Sequence, residues 1–191
     1  MLAAPTFSAL GRAHASLGKN GDPIRLAASW PKEPDLLRLL LDLGFPCDDG
    51  SAVRYAAHHG RIEAVRMLAA AGAPLDVPTD DDETATTIAA FNDYADVLLL
   101  LADLGVPLDR DHPAGSGRSP LWWAISGGSP STARVLLDRG VPIRQVELDL
   151  LADRERIYRD LQVRERRDHD VMSNLAEIRV LIDARTQPRD S

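Results

Sequence analysis

The chain alternates short apolar blocks with polar connections, and within the blocks the apolar positions recur at helical spacing. In four blocks the residues seven and four positions before a glycine are apolar, which places both on one face of a helix. A proline follows two residues after each of these glycines, which are Gly44, Gly72, Gly105 and Gly140. Glycine readily adopts the left-handed conformation at a helix C-terminus, and proline cannot continue the helix. The pattern therefore predicts four helices with a common stop signal.

A second, shorter helix is predicted before each of these blocks. The four segments begin with a polar residue and end with two alanines in three copies and with Ala124-Ile125 in the last: DPIRLAA (22–28), SAVRYAA (51–57), TATTIAA (84–90) and SPLWWAI (119–125). We expect the Asp, Ser or Thr at the first position to cap the free N–H groups of the helix. The small residues allow the two helices of a pair to approach closely. The expected unit is a capped helix, a turn, a second helix, a Gly-x-Pro stop and an extended connection.

This repeated unit resembles the ankyrin repeat. Ser119-Pro120-Leu121 followed by Ala124 is similar to the signature T-P-L-H-x-A, although no copy has His at the signature position. The stop glycines are 28, 33 and 35 residues apart, against about 33 for the family. The resemblance implies an all-α, ankyrin-like solenoid of about four helix pairs. Its expected parts are an N-terminal capping helix (1–20), the repeats (21–146), a C-terminal helical cap or degenerate repeat (147–185) and a flexible tail (186–191).

The C-terminal cap is predicted as two helices with a break between them. The first helix is expected from about Glu147 to Arg166, and the break near Asp168-His169-Asp170. The second helix follows from apolar residues at helical spacing, which are Val171, Leu175, Ile178 and Ile182. The link between Pro46 and Ser51 is also short, and we expect it to be too short for a full finger loop.

The charge of the chain restricts its partners. A formal net charge of −7 over 191 residues argues against binding to nucleic-acid phosphates and favours a basic partner. The longest uncharged apolar run, 97–102, is too short to span a bilayer, and the N-terminus has no signal-peptide pattern. Cys47 stands alone, so no disulfide can form within the chain. We expect a cytoplasmic protein without membrane association, and its preference for arginine over lysine resembles a GC-rich bacterial genome.

The adjacent residues His58 and His59 are the first candidate for chemistry. Neighbours on a helix point about 100° apart, so these two cannot hold one metal ion as an i, i+4 pair could. The sequence has no HExxH pattern, no Ser-His-Asp arrangement and no phosphate-binding glycine loop. We predict no catalytic residue, metal or cofactor. The resemblance implies that the two histidines lie on the concave binding face, and the alternative is a solvent-exposed turn.

Two further clusters are candidates for partner contact. The acidic run 80–83 is either a solvated turn or a contact for a basic partner. Trp122 and Trp123 are adjacent, so one of them is expected to be exposed, unless both pack under the third finger. The resemblance implies binding through the concave groove and the fingers. The predicted partner-binding residues are Trp30, Arg54, His58, His59, Asp80, Asp81, Asp82, Asn92, Asp111, His112, Trp122 and Trp123.

Together these features predict a non-catalytic protein–protein binding module. The preferred hypothesis is an immunity-type inhibitor that neutralises a bacterial toxin or effector, because the chain is acidic, has the size of a stand-alone protein and shows no export signal. One alternative is a scaffold or self-associating structural protein. Another is a regulatory subunit that acts on an enzyme in trans.

Overall fold

The computed structural model describes residues 22–29, 34–81, 83–109, 118–161 and 167–186. Within these ranges the chain forms ten α-helices and no strand. In chain order they are α1 Pro23–Ser29, α2 Pro34–Asp42, α3 Ser51–His58, α4 Ile62–Ala70, α5 Ala85–Phe91, α6 Ala95–Asp103, α7 Pro120–Gly127, α8 Pro130–Asp138, α9 Gln145–Leu161 and α10 Arg167–Thr186. The predicted N-terminal capping helix lies outside the described residues, as does the tail beyond residue 186.

The helices form two layers that run along the stack. The inner layer consists of α1, α3, α5, α7 and α9, and each of these helices packs on the next. The outer layer consists of α2, α4, α6, α8 and α10, packed in the same order. Each inner helix also packs on the outer helix that follows it, which confirms the predicted all-α solenoid of helix pairs. The short link before α3 does not interrupt the stack, because α1 packs on α3 and α2 on α4.

The four predicted stop glycines end the outer helices α2, α4, α6 and α8. Their φ angles lie between 77° and 90°, in the left-handed region that favours glycine. At the end of α4 the N–H of Ala73 donates to the carbonyl of Leu68 at 3.0 Å, and the N–H of Gly72 donates to Ala69 at 3.0 Å. The same two hydrogen bonds recur at the other three glycines. This pattern is the Schellman motif, so the predicted stop signal is confirmed.

The predicted caps of the inner helices are confirmed in three helices and wrong in the fourth. Capping hydrogen bonds join Asp22 Oδ1 to Ile24 N at 3.0 Å, Thr84 Oγ1 to Thr87 N at 3.2 Å and Ser119 Oγ to Trp122 N at 3.1 Å. Ser51 does not cap α3, because it is the first residue of the helix and its own N–H donates to Asp49 Oδ1 at 2.8 Å. The reason is the left-handed turn at Gly50, which brings the Asp49 carboxylate to the helix N-terminus.

The core lies between the two layers and follows the predicted columns. The predicted alanines near the ends of α1, α3, α5 and α7 are all buried, and so is Ile125 in the last copy. The outer helices contribute fully buried side chains seven and four residues before their glycines, although Leu40 is only half-buried. These fully buried residues are Leu37, Val65, Leu68, Leu98, Leu101, Ala133 and Leu136. Burial of this continuous interface stabilises each repeat through its neighbours.

The C-terminal helices differ from the prediction at their boundaries. Helix α9 begins at Gln145, two residues before the expected start. The predicted division into two helices is confirmed, but the predicted position of the break is wrong, because Asp168-His169-Asp170 belong to the first turn of α10. Acidic residues near a helix N-terminus interact favourably with the helix dipole, so a polar stretch there does not end a helix. Helix α10 packs on α8 and α9 through buried residues, which are Leu175, Ile178 and Ile182.

Candidate functional site

Four of the five inner helices carry a large apolar or aromatic side chain at an equivalent position. We call these four residues the inner row: Leu26, Tyr55, Ile88 and Trp123, from α1, α3, α5 and α7. Leu26 and Tyr55 are 41% and 40% exposed, and the other two are half-buried. The next position along each helix is a buried alanine, so the inner row stands at the edge of the core. The row forms an apolar and aromatic surface across four repeats.

A cleft of about 180 Å³ opens in this face across helices α3, α5 and α7. Its apolar walls come from Ile88, Phe91 and Trp123. The rings of Phe91 and Trp123 meet edge to face with 5.9 Å between their centroids, and Phe91 is 41% exposed. The complete lining is His58, Glu83, Thr87, Ile88, Phe91, Asn92 and Trp123. The cleft therefore combines residues from three consecutive repeats.

One acidic side chain stands at the side of the cleft. Glu83 lines it, and Asp80 and Asp81 are exposed in the same connection between α4 and α5. None of the three carboxylates forms an ion pair with another described residue. Two hydrogen bonds between Thr79 and Glu83 hold the turn that presents Glu83. The N–H of Thr79 donates to the carbonyl of Glu83 at 3.0 Å, and the N–H of Glu83 donates to Oγ1 of Thr79 at 3.1 Å. This side of the cleft carries negative charge that the rest of the described chain leaves unpaired.

The two histidines lie at the end of α3, beside the cleft. Both side chains are exposed, and their rings meet edge to face with 5.0 Å between centroids. His58 lines the cleft. The pKa of His59 is lowered from its ordinary value by burial first, and then by the charges of His58 and Arg61. The neutral form of His59 is therefore favoured in the folded protein.

The tryptophan pair does not divide into one buried and one exposed residue. Both side chains are half-buried, and their rings pack edge to face with 5.2 Å between centroids. Trp123 lines the cleft, whereas Trp122 carries the guanidinium of Arg118 4.9 Å from its ring centroid. The Nε1–H of Trp123 is buried without a hydrogen-bond partner among the described residues. Only one of the two rings therefore contributes directly to the cleft.

The structure brings some of the predicted partner-binding residues together. His58, Asn92 and Trp123 line the cleft. The guanidinium of Arg54 is engaged in the fold, since its Nη1 donates to the carbonyl of Val77 at 2.9 Å. His59 and Trp122 are each next in sequence to a residue of the cleft, and Asp80 and Asp81 are exposed in the connection that contains Glu83. The remaining predicted residues lie outside the described residues, and they are Trp30, Asp82, Asp111 and His112. Partner binding by any of these residues stays a prediction.

Sequence reasoning missed several residues that shape this surface, and Leu26 and Thr87 are among them. Tyr55 and Ile88 belong to the inner row, and Phe91 supplies a wall of the cleft. The sequence does carry a signal for the inner row. In each of the four copies a large apolar or aromatic residue stands directly before an alanine. A large side chain repeated beside a column of small core residues indicates an exposed apolar surface rather than core.

Within the described ranges, no group of three or more His, Cys, Asp or Glu side chains is arranged to hold a metal ion. Cys47 is half-buried, and burial followed by the charges of Asp48, Asp22 and Asp49 raises the pKa of its thiol. None of the helices in the described part of the chain combines the length and the apolar character needed to cross a membrane.

Comparison with known proteins identifies the family. The family model described as ankyrin repeats in three copies matches residues 24–112 and 53–147, which together make up more than half of the chain. A segment of 60 residues is 42% identical to the human ankyrin repeat and KH domain-containing protein 1. That alignment covers 31% of this chain and 2% of the human protein, so the chain spans a small part of that relative's length. The chain belongs to the ankyrin-repeat family, whose repeats serve as protein–protein interaction modules.

Proposed function

We propose that this protein is a non-catalytic binding module whose inner face holds a basic protein partner. The observation that carries the proposal is the cleft that α3, α5 and α7 share beside exposed, unpaired carboxylates. Aromatic side chains at such a position are effective anchors when a partner buries them. The surrounding inner row offers a larger apolar area for the same partner.

The charge of the protein supports a basic partner. The formal net charge of −7 attracts a cationic surface over a distance, and complementary fields accelerate encounter. The acidic connection with Asp80, Asp81 and Glu83 stands next to the apolar cleft, so steering and docking occur on the same face. The same charge disfavours binding to nucleic-acid phosphates.

The finer proposal is that the partner is a bacterial toxin or effector and that binding neutralises it. A surface that spans several repeats covers a broad area of the partner. The inhibitor then acts by covering groups that the toxin needs for its activity. It does not have to catalyse a reaction. The proposal includes a cytoplasmic location, since a lone cysteine is suited to a reducing compartment.

The test combines capture with protection. The protein is used to capture partners from the producing cells, and each captured protein is then co-expressed with it to measure growth. The site variant carries Phe91→Ala and Asp81→Lys, and the matched control carries Asp96→Lys on the exposed side of α6 in the outer layer. We expect wild type and control to capture one protein that the site variant does not capture. Co-expression with wild type or control, but not with the site variant, should relieve the toxicity of that protein.

Two outcomes would contradict the proposal in different ways. A partner retained equally by all three proteins would show that the inner face is not the binding surface. A captured protein that is harmless on its own would remove the inhibitor hypothesis and favour a regulatory subunit. If no protein is captured and the mass in light scattering rises with concentration, the protein is a self-associating scaffold.

A further inference from the structure

We propose that the cleft beside Phe91 and Trp123 binds an arginine side chain of the protein partner. This inference rests on the proposed function, because it names the group by which the binding module recognises its partner. It is argued from the size of the cleft, the aromatic rings that line it and the carboxylate at its side.

The size of the cleft suits one side chain. Its volume is about 180 Å³. Pockets for cofactors and drug-sized molecules are larger, on the order of 300–1,000 Å³. The cleft is open toward solvent at Phe91, which is 41% exposed, so a side chain from a docked protein can enter it. A single long side chain is therefore the occupant that fits the space.

The aromatic rings of the inner face indicate what kind of side chain this is. Two other rings of the inner helices are already covered by arginines of this chain, Tyr55 by Arg25 at 4.8 Å and Trp122 by Arg118 at 4.9 Å. Phe91 is on α5, the inner helix between these two pairs, and Trp123 is next to Trp122 on α7. No cation of the described chain stacks on either of them. An arginine from a partner would make the same kind of contact at the uncovered position.

The charge at the cleft also favours a cation. Glu83 lines the cleft and forms no ion pair with another described residue, so its carboxylate is available to a guanidinium. Arginine matches such a site better than lysine, because its planar group stacks on aromatic rings, is weakly hydrated and can bind a carboxylate with two N–H groups. The methylene stem of the arginine would pack against Ile88. Apolar walls and one carboxylate thus complement the two parts of one side chain.

The experiment uses short peptides that differ at one residue. The probes are acetyl-Gly-Ser-X-Ser-Gly-amide peptides in which X is arginine, lysine, citrulline or norleucine. Citrulline has nearly the shape of arginine without its charge. Binding is followed by NMR of the indole N–H signals, with the Trp123 signal assigned by Trp123→Phe. The titration is run at about pH 8, where an ordinary histidine is neutral.

We expect saturable, millimolar binding of the arginine peptide to the Trp123 signal. Citrulline and norleucine should bind at least about 5-fold more weakly, and lysine about 3-fold more weakly. Glu83→Gln should weaken arginine binding by about 3- to 5-fold, as the loss of an exposed charge pair implies. The matched control Asp96→Asn removes the same charge from the outer layer and should leave the affinity unchanged within about 2-fold.

Several results would overturn the inference. Absence of a saturable shift up to about 10 mM arginine peptide excludes the site. Equal binding of citrulline or norleucine excludes a cationic occupant, and equal binding of lysine excludes the preference for arginine. Equal effects of Glu83→Gln and Asp96→Asn exclude the assigned carboxylate. A partner that is captured only by proteins with an intact inner face, together with no arginine binding, would overturn this inference and leave the proposed function standing.

Discussion

The Oγ–H of Ser119 donates to Oε1 of Glu147 at 2.6 Å, and this hydrogen bond joins the N-terminus of α7 to that of α9. Ser119 also accepts from the N–H of Trp122 as the cap of α7, while Oε2 of Glu147 accepts from the N–H of Arg144 at 3.0 Å. Both side chains are fully buried. One buried contact therefore completes two helix termini and fastens the C-terminal helices to the last complete repeat.

Replacing Glu147 with alanine should lower the free energy of unfolding by about 2–4 kcal/mol. The reason is that the substitution leaves the Ser119 hydroxyl and the Arg144 N–H without their carboxylate acceptor. Urea unfolding followed by circular dichroism measures the change. The control is Asp149→Ala, at an exposed position of the same helix. Its free energy of unfolding should differ from that of wild type by less than about 1 kcal/mol. Equal effects of the two substitutions would mean that the buried contact does not fasten α9.

Replacing Gly127 with alanine should be among the most destabilising single changes in the stack. A Cβ at this position would lie 2.1 Å from the carbonyl oxygen of Phe91, which is backbone and cannot rotate away. We expect a loss of about 3 kcal/mol or more in the free energy of unfolding, because α5 and α7 must move apart.

The control for Gly127 is Gly72→Ala, measured by the same urea unfolding. No atom lies within 4 Å of the added Cβ there, but the φ of 82° is strained for alanine. That strain should cost about 1–2 kcal/mol. A smaller loss for Gly127→Ala than for Gly72→Ala would show that the close contact between α5 and α7 relaxes easily.

Replacing Trp123 with phenylalanine should change the stability by less than about 1 kcal/mol. Phenylalanine keeps an aromatic wall, and the buried Nε1–H that it removes has no hydrogen-bond partner among the described residues. A buried, unsatisfied donor costs about 1–3 kcal/mol, which offsets the lost contact area. Trp123→Ala should lose about 2–3 kcal/mol in the same urea unfolding experiment. A loss for the phenylalanine variant as large as that for alanine would indicate that the indole N–H has a partner in solution.

The stability of the first repeats should depend on pH through Asp49. Burial alone would raise the pKa of Asp49, but hydrogen bonds from Ser51 and the charges of Arg54 and Arg25 outweigh it. The pKa of Asp49 therefore lies below its ordinary value of 3.8. Because the folded-state pKa is the lower one, the ionised carboxylate stabilises the fold above the unfolded-state value, and this contribution is lost as the pH falls through the folded-state value.

The corresponding variant is Asp49→Asn, examined by urea unfolding between about pH 7 and pH 2. It should be less stable than wild type at pH 7, and the difference should shrink as the pH falls through the acidic range. Convergence is expected because the wild-type side chain is then also uncharged. A difference in unfolding free energy that does not change with pH would exclude the carboxylate charge as the cause.

Much of the fold could be predicted from the sequence because its signals are local or periodic. The left-handed glycines at the ends of the outer helices and the paired alanines of the inner helices follow directly from residue type and spacing. The exceptions are positions where a contact with another residue determines the helix cap or the turn conformation. Ser51 has the residue type of a cap, but Asp49 takes that role. Asp93 occupies the turn position of Gly60 and Gly128 with a φ of 58° and binds Thr132 through Oδ1.

The site was less predictable than the fold. His58, Asn92 and Trp123 were named from the sequence, but their common position in one cleft depends on how three repeats stack. Phe91 was missed, because an apolar residue at the end of a short helix has the same appearance in a sequence whether it is buried or exposed. Its exposure of 41% follows from the place of α5 in the inner layer.

The sequence by itself determined the repeated helix pairs, the class of the fold and the acidic character of the protein. These properties depend on backbone preferences, hydrophobic spacing and composition, which act over a few residues or over the chain as a whole. Only the tertiary structure decided which side chains meet, namely the cleft across three inner helices and the buried bond from Ser119 to Glu147. Such contacts join residues far apart in the chain, and their geometry is set by the packing of one repeat on the next.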